Sequence, residues 1–227
     1  MKIIKLNPFY ILSKWIDSLL IRFSLLFLLE KQLNNNCYSV IDVGCGRSSL
    51  LQHIKKPFYK IGIDFYKPYL TESKLKSIHN DYILGDVRNL PFNSKSFDYA
   101  VASEVIEHLN KTDGLRMIKE MERVAKDKIV LTAPNGFLWA LPGPEDNPEE
   151  KHISGWTVSE LRRLRFKVYG FNGLNVLYRK RDSIGLLFIL QTITHPLVYY
   201  YPITAFHLFF FKDINDVNSR DDVIQKT

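Results

Sequence analysis

Short apolar runs and amphipathic stretches alternate through the middle of the chain. Tyr38–Val43, Lys60–Asp64, Asp81–Asp86, Phe97–Ala102 and Lys128–Ala133 are the short runs. Leu50–Ile54, Thr71–Ile78 and Asp113–Val124 read as helices between them, and Asn89–Ser96 as a loop. Such alternation predicts βαβ units and a parallel sheet. Right-handed crossovers then bring the carboxyl ends of the strands to one edge, where ligands bind in this architecture. Pro134-Asn135-Gly136 stops the last of these runs and opens a loop to residue 156. Thr157 followed by Glu160 is a capping box for a helix over Thr157–Leu164, and Phe166–Phe171 reads as a further strand.

The two ends have a different texture. Residues 8–33 predict one or two helices with a wide apolar face, because Lys14, Asp17, Ser18 and Arg22 recur at helical spacing. The same charges make it a poor membrane span, and it lacks the short clean apolar core of a signal peptide. It is expected to be an N-terminal helical cap over residues 1–36. Residues 183–211 carry no Asp, Glu, Lys or Arg, but Pro196 and Pro202 break them, and Tyr199-Tyr200-Tyr201 suits an interface better than a bilayer centre. A helical insertion over about 183–201 is expected there, then a last strand at Ala205–Phe211. Residues 213–227 read as a polar tail, leaving a main domain at 37–212.

The length of 227 residues suits one domain with additions, and 46% hydrophobic against 24% charged residues excludes a wholly disordered chain. Two cysteines, Cys37 and Cys45, make no disulfide framework and fit a reducing, cytoplasmic compartment. The net charge of +7 suits an anionic cofactor, an anionic membrane surface or a nucleic acid without choosing among them. No separate nucleic-acid module is evident, and oligomeric state is not encoded legibly. The basic cluster Arg162, Arg163, Arg165, Lys167 and Arg179-Lys180-Arg181 reads as a solvated face that could also meet anionic head groups.

The strongest chemical signal is Val40-Ile41-Asp42-Val43-Gly44-Cys45-Gly46-Arg47-Ser48-Ser49, a strand running through a glycine pair into a helix. Glycines let backbone approach a ligand, and the following helix offers unpaired N–H groups. Asp64 closes the next strand about 20 residues on, where a carboxylate can accept ribose hydroxyls. Asp86 closes the strand after that, and Asp98 opens the next. Each acid alone reads as a turn or cap residue. Their register with successive strands is what that reading leaves unexplained.

Over roughly residues 38–171 these features resemble the class I S-adenosylmethionine-dependent methyltransferases. Asp42-Val43-Gly44-Cys45-Gly46 is similar to the family's glycine motif, Asp64 to its ribose-binding acid, and Asp86-Val87 to its adenine-contacting pair. Glu104-Val105-Ile106-Glu107-His108-Leu109 resembles the small-molecule and quinone-precursor branch, and His152-Ile153-Ser154-Gly155-Trp156 also recurs in relatives. The resemblance implies a Rossmann-like α/β fold. Its sheet would be seven-stranded and mostly parallel, with helices on both faces and an antiparallel C-terminal strand.

The resemblance also implies S-adenosyl-L-methionine as cofactor. Asp42, Gly44, Cys45, Gly46, Asp64, Phe65, Asp86, Val87 and Ser103 would hold it. One departure is Ser48, where the family often has a third glycine, and serine there is expected to cap the following helix.

Methyl transfer requires alignment of nucleophile, methyl and sulfur, and a base only where the acceptor arrives protonated. His108 and His152 are the candidates on the acceptor side; packing or a plain lid role is the competing reading of each. Glu104 and Glu107 either orient ligands or stand as favourable charges near a helix start. Cys45 has no local partner to activate it. No metal site is expected, because the six histidines lack ligand spacing. The apolar ends suggest a small, apolar or lipid-like acceptor and peripheral membrane contact. Two other readings remain open on sequence alone: a nicotinamide-dependent oxidoreductase, and a non-catalytic cofactor-binding protein at a membrane.

Overall fold

Seven strands form a single sheet in the order β3-β2-β1-β4-β5-β7-β6. They are β1 (Ser39–Val43), β2 (Tyr59–Asp64), β3 (Asp81–Leu84), β4 (Phe97–Ser103), β5 (Ala125–Pro134), β6 (Lys167–Leu174) and β7 (Ala205–Asp213). Strands β3 through β5 pair in parallel, and β7 lies antiparallel between β5 and β6. The expected α/β class and antiparallel closing strand are therefore present. This computed structural model describes residues 25–33, 37–136, 147, 150–178 and 194–214. Four expected features lie wholly or partly outside the described residues: the N-terminal helix before residue 25, residues 183–193 of the insertion expected over about 183–201, Arg179-Lys180-Arg181, and the tail beyond 214.

Strand alternation builds two cores. Ile41 and Val43, Ala100 and Ala102, Ile129 and Leu131, and Leu208 and Phe210 face one way. Val40, Tyr99 with Val101, Val130, and Phe209 with Phe211 face the other. A strand buried on both faces reads as a continuous apolar run, which is why these segments were legible. Helical residues 25–32 (α1) place Leu28 and Leu29 on the second face, beside Leu33 and Leu51. Helix α2 (Lys67–Leu75) starts four residues before the expected Thr71, with Pro68 in its first turn. Helix α3 (Lys111–Val124) buries Gly114, Met117, Ile118, Met121 and Val124, a single stripe at helical spacing, against the first core. Leu50–His53 is a 3-10 turn capped by Ser49, whose Oγ accepts from the Leu51 N–H at 3.0 Å. The cap is thus Ser49 rather than Ser48.

Helix α4 (Val158–Arg163) carries the expected capping box: Thr157 and Glu160 bond each other's backbone N–H groups reciprocally. Short helices α5 (Asn175–Tyr178) and α6 (His195–Tyr200) precede β7. Strand β7 continues through Asp213, which pairs with Lys128 at 3.2 Å and Lys167 at 2.9 Å. Asp213 belongs to the sheet, not to a polar tail. No helix among the described residues is long and apolar enough to cross a membrane.

Burial opposes ionisation of Glu160, but Lys111 Nζ at 2.7 Å and the Thr157 N–H and hydroxyl outweigh it and hold the carboxyl at about 2. Because the folded value lies below the ordinary 4.5, Glu160 stabilises the fold fully above pH 4.5. That contribution is lost as pH falls through 4.5 toward 2. Thermal melts of the wild-type protein and Glu160→Gln should therefore differ most near neutrality, draw together below pH 4.5 and converge only as the pH approaches about 2. A gap independent of pH would show that the ionised carboxylate is not what stabilises this helix start.

Candidate functional site

Strands β1 and β4 are neighbours whose following chains leave the sheet in opposite directions along it, so a crevice opens at their carboxyl ends. The turn after β1 enters that crevice. Gly44 adopts φ of +70°, and a Cβ there would lie 2.6 Å from Val105, so the position excludes a side chain on two counts. The Gly44 and Cys45 N–H groups both donate to the Ile63 carbonyl, at 2.8 and 3.0 Å. The Gly46 N–H donates to one oxygen of the Asp64 carboxylate at 2.9 Å, and the Tyr66 N–H to the other at 2.8 Å. Asp64 is thereby fixed in orientation with lone pairs to spare. Burial pushes its carboxyl above the ordinary range, against those two N–H groups.

A cavity of about 600 Å³ opens over this turn, walled by Asp42, Gly44, Cys45, Gly46, Asp64, Phe65, Val87 and Ser103 from the expected set. His108 and Glu104 line its far side. Asp86 departs from expectation. Strand β3 ends at Leu84, and the Asp86 carboxylate turns outward into a fork from Arg88 Nε and Nη2 at 2.9 and 2.7 Å. Val87 reaches the cavity wall and Asp86 does not. Asp98, which taken alone reads as a turn or cap residue, takes such a role. It sits at the opposite end of the sheet, accepting from the Tyr38 and Ser39 N–H groups and from Lys126. It is a structural staple outside the crevice. Cys45 is buried, and burial followed by the charges of Asp42 and Asp64 pushes its thiol strongly upward, so it is no nucleophile.

Two partners escaped the sequence reading. His79, just before β3, is buried with its Nε2 2.8 Å from Asp42, so part of the glycine-motif acid's capacity is already engaged. His207 on β7 brings its Nε2 to 3.4 Å from Glu104, and its Nδ1 lies 2.9 Å from the Asn172 amide. Neither has a local motif; each arrives through sheet pairing, which single-sequence spacing does not display.

The acceptor-side residues do meet. Glu104 lies in the left-handed region at φ of +54°, with its N–H on the Thr132 carbonyl and hydroxyl. That bend throws the chain from β4 into the 3-10 turn Ile106–His108. The His152 segment is bolted to the same turn. Ile153 and Ser154 N–H groups donate to the Glu107 carbonyl at 2.9 and 3.1 Å, and Trp156 Nε1 approaches the Ile106 carbonyl at 3.4 Å. The Trp156 ring packs on Gly114, where a Cβ would come within 2.7 Å of it, and Lys111 Nζ lies 3.9 Å above it. The His108 and His152 rings consequently stand 4.9 Å apart, edge to face. Burial, then the charge of Glu104, raises the Glu107 carboxyl well above the ordinary range. Burial also opposes ionisation of Glu104, but His207 outweighs it and holds that carboxyl low. Burial, then His152, lowers His108.

Comparison with known proteins agrees with this geometry. Residues 41–131 match the methyltransferase domain family. An uncharacterised protein of Methanocaldococcus jannaschii is 30% identical over 192 residues, 85% of this chain and 78% of that one. A demethylmenaquinone methyltransferase of Staphylococcus saprophyticus is 34% identical over 93 residues, 38% of this chain and 39% of that one. The crystal structure of a SAM-dependent methyltransferase from Archaeoglobus fulgidus superposes with a TM-score of 0.56 at 17% identity, over 88% of this chain and 99% of that one. These matches carry the methyl-donor reading and lend nothing to the nicotinamide or non-catalytic ones. With a seven-stranded sheet, a glycine turn locked to Asp64 and a cavity at the strand ends, the chain carries a methyltransferase domain over residues 41–131 on the fold of the S-adenosylmethionine-dependent methyltransferases.

Proposed function

We propose that this chain transfers the cofactor's methyl group to a small apolar or lipid-like acceptor at the mouth of the crevice between β1 and β4. The observation that carries the reading is the two-ended cavity. Asp64 is held in a fixed orientation by Gly46 and Tyr66 at one end, and His108 stands at the other. The cofactor fits the residues present. Asp64 keeps unused acceptor capacity for ribose hydroxyls, and the Gly44 turn offers bare backbone to the methionine part. Phe65 and Val87 supply apolar walls for the base, and Ser103 and Cys45 line the floor. On the adenine side Val87 lines the cavity, while the Asp86 carboxylate is occupied by Arg88.

Bound S-adenosylmethionine supplies an electrophilic methyl on a sulfonium, whose departure leaves a neutral thioether. The protein's own task is alignment. His108 and His152 face the acceptor and either receive its proton or orient its oxygen, nitrogen or carbon toward the methyl. The acceptor class is supported by the surface beside the crevice. Leu197, Tyr200, Tyr201 and Ile203 are exposed there, on a segment tied to the end of β5 by Asn135 Nδ2, which donates to the Pro202, Ile203 and Ala205 carbonyls. Aromatic and aliphatic side chains together suit contact with a membrane surface from which such an acceptor would be drawn. The short match to a demethylmenaquinone methyltransferase points the same way.

Calorimetric titration with S-adenosylmethionine and S-adenosylhomocysteine should give micromolar binding. Asp64→Ala should weaken it by at least about tenfold, the order of one charged hydrogen bond lost. Circular dichroism would establish that the variant is folded, and equal affinity in both proteins would remove Asp64 from the site.

With methyl-labelled cofactor and a lipid extract as acceptor source, label should enter the organic phase and fall on His108→Ala. Label confined to polar, water-soluble acceptors would overturn the acceptor class.

A further inference from the structure

We propose that Glu107, His108 and His152 form a binding site for a divalent metal ion of the zinc and cobalt class at the acceptor end of the cavity. One donor atom from each of the three side chains lies within 4.8 Å of the others. The histidines are 44 residues apart in sequence and share no ligand motif; the fold, not the spacing, brings them together.

The buried polar atoms give the reason to place an ion there. Glu107 is 2% exposed, and neither of its carboxylate oxygens has a hydrogen-bond partner; His108 Nδ1 is likewise buried without one. Buried polar groups are normally satisfied, and leaving one bare costs roughly 1–3 kcal/mol. Two of the three side chains in this group thus carry bare polar atoms. A cation held by this group would engage Glu107 and His108 together, whereas a proton shared between Glu104 and Glu107 leaves His108 Nδ1 unsatisfied.

The donor set selects the ion. Two imidazoles and one carboxylate suit borderline first-row metals and not magnesium or calcium, which want oxygen. Tetrahedral zinc with such ligands holds donor atoms about 3.3–3.6 Å apart, so the three side chains need close by only about an ångström. The supporting structure is rigid. The Glu107 carbonyl is gripped by the Ile153 and Ser154 N–H groups, which fixes His152 relative to Glu107 and His108. Three protein ligands leave a coordination position open, as catalytic sites do, and of the three His108 lines the cavity. Ion binding itself does not depend on the methyl-transfer reading; only its use toward an acceptor oxygen would.

The test uses the full chain, freed of metal with a chelator and titrated with Zn²⁺ by calorimetry and with Co²⁺ by visible absorption. One ion per chain is expected, with ligand-field bands from nitrogen and oxygen donors. Binding should fall at least about tenfold in both His152→Ala and Glu107→Gln. Circular dichroism and a thermal melt of each variant serve as the measure of folding, and S-adenosylhomocysteine titration reports the cofactor reading separately. A chain that binds S-adenosylhomocysteine but takes up no stoichiometric ion overturns the site, as does ion binding equal in wild type and both variants. Ion binding lost in the variants, in a chain that does not bind the nucleoside, supports the site and counts against the cofactor reading instead.

Discussion

The carboxyl end of β2 governs the functional edge of this molecule. The Ile63 carbonyl accepts from Gly44 and Cys45, and the two oxygens of Asp64 accept from Gly46 and Tyr66. Four backbone N–H groups from two different loops are therefore referred to one pair of residues. Those N–H groups would otherwise be orphans at the open end of a buried strand, and buried donors are rarely left unpaired. Satisfying them forces Gly44 into the left-handed region under Val105, and that conformation makes room for a ligand. The cofactor-binding turn is thus a consequence of closing the hydrogen bonds of the sheet edge. It does not need the ligand to shape it.

The other half of the crevice is built on a different principle. Trp156 anchors the segment carrying His152, by filling the space over Gly114, reaching the Ile106 carbonyl and bridging Asn135 and Gly136 just past β5. Its backbone links among the described residues are the Ile153 and Ser154 N–H groups on the Glu107 carbonyl and the Gly136 N–H on the Trp156 carbonyl. The acceptor end consequently depends on side-chain packing between α3 and a loop, and its charged groups are buried by that packing. The cofactor end satisfies its polar atoms with backbone. The acceptor end leaves Glu107 and His108 Nδ1 without partners.

Legibility in the sequence follows the same division. Strands buried on both faces announce themselves as apolar runs, and β1, β2, β4 and β5 were readable for that reason. The capping box at Thr157 was readable because its chemistry spans three residues. The glycine turn and Asp64 were readable because both follow directly from a strand end. The roles of Asp86 and Asp98 were not legible for one reason: an acid at a strand terminus looks the same whether it faces a ligand, an Arg88 fork or the N–H groups of Tyr38 and Ser39. Only the end of the sheet at which it stands, and the neighbour opposite, decide between them. His79 and His207 were invisible because their partners, Asp42 and Glu104, lie across the sheet.

The strain at Glu104 ties these observations together. A non-glycine residue in the left-handed region costs of order 1–3 kcal/mol and persists only where its surroundings over-determine it. Here Thr132 does so, with both its carbonyl and its hydroxyl on the Glu104 N–H. Released from that conformation, the chain after β4 would not turn back into Ile106–His108, and Glu107 and His108 would leave the crevice. The fold therefore accepts one strained residue and several bare polar atoms within a few residues of each other, at the one edge where a ligand can reach them. Elsewhere among the described residues, buried charge is met by a partner, as Asp42 is by His79 and Asp98 by Lys126. That contrast is the physical signature of a surface shaped for something it must still bind.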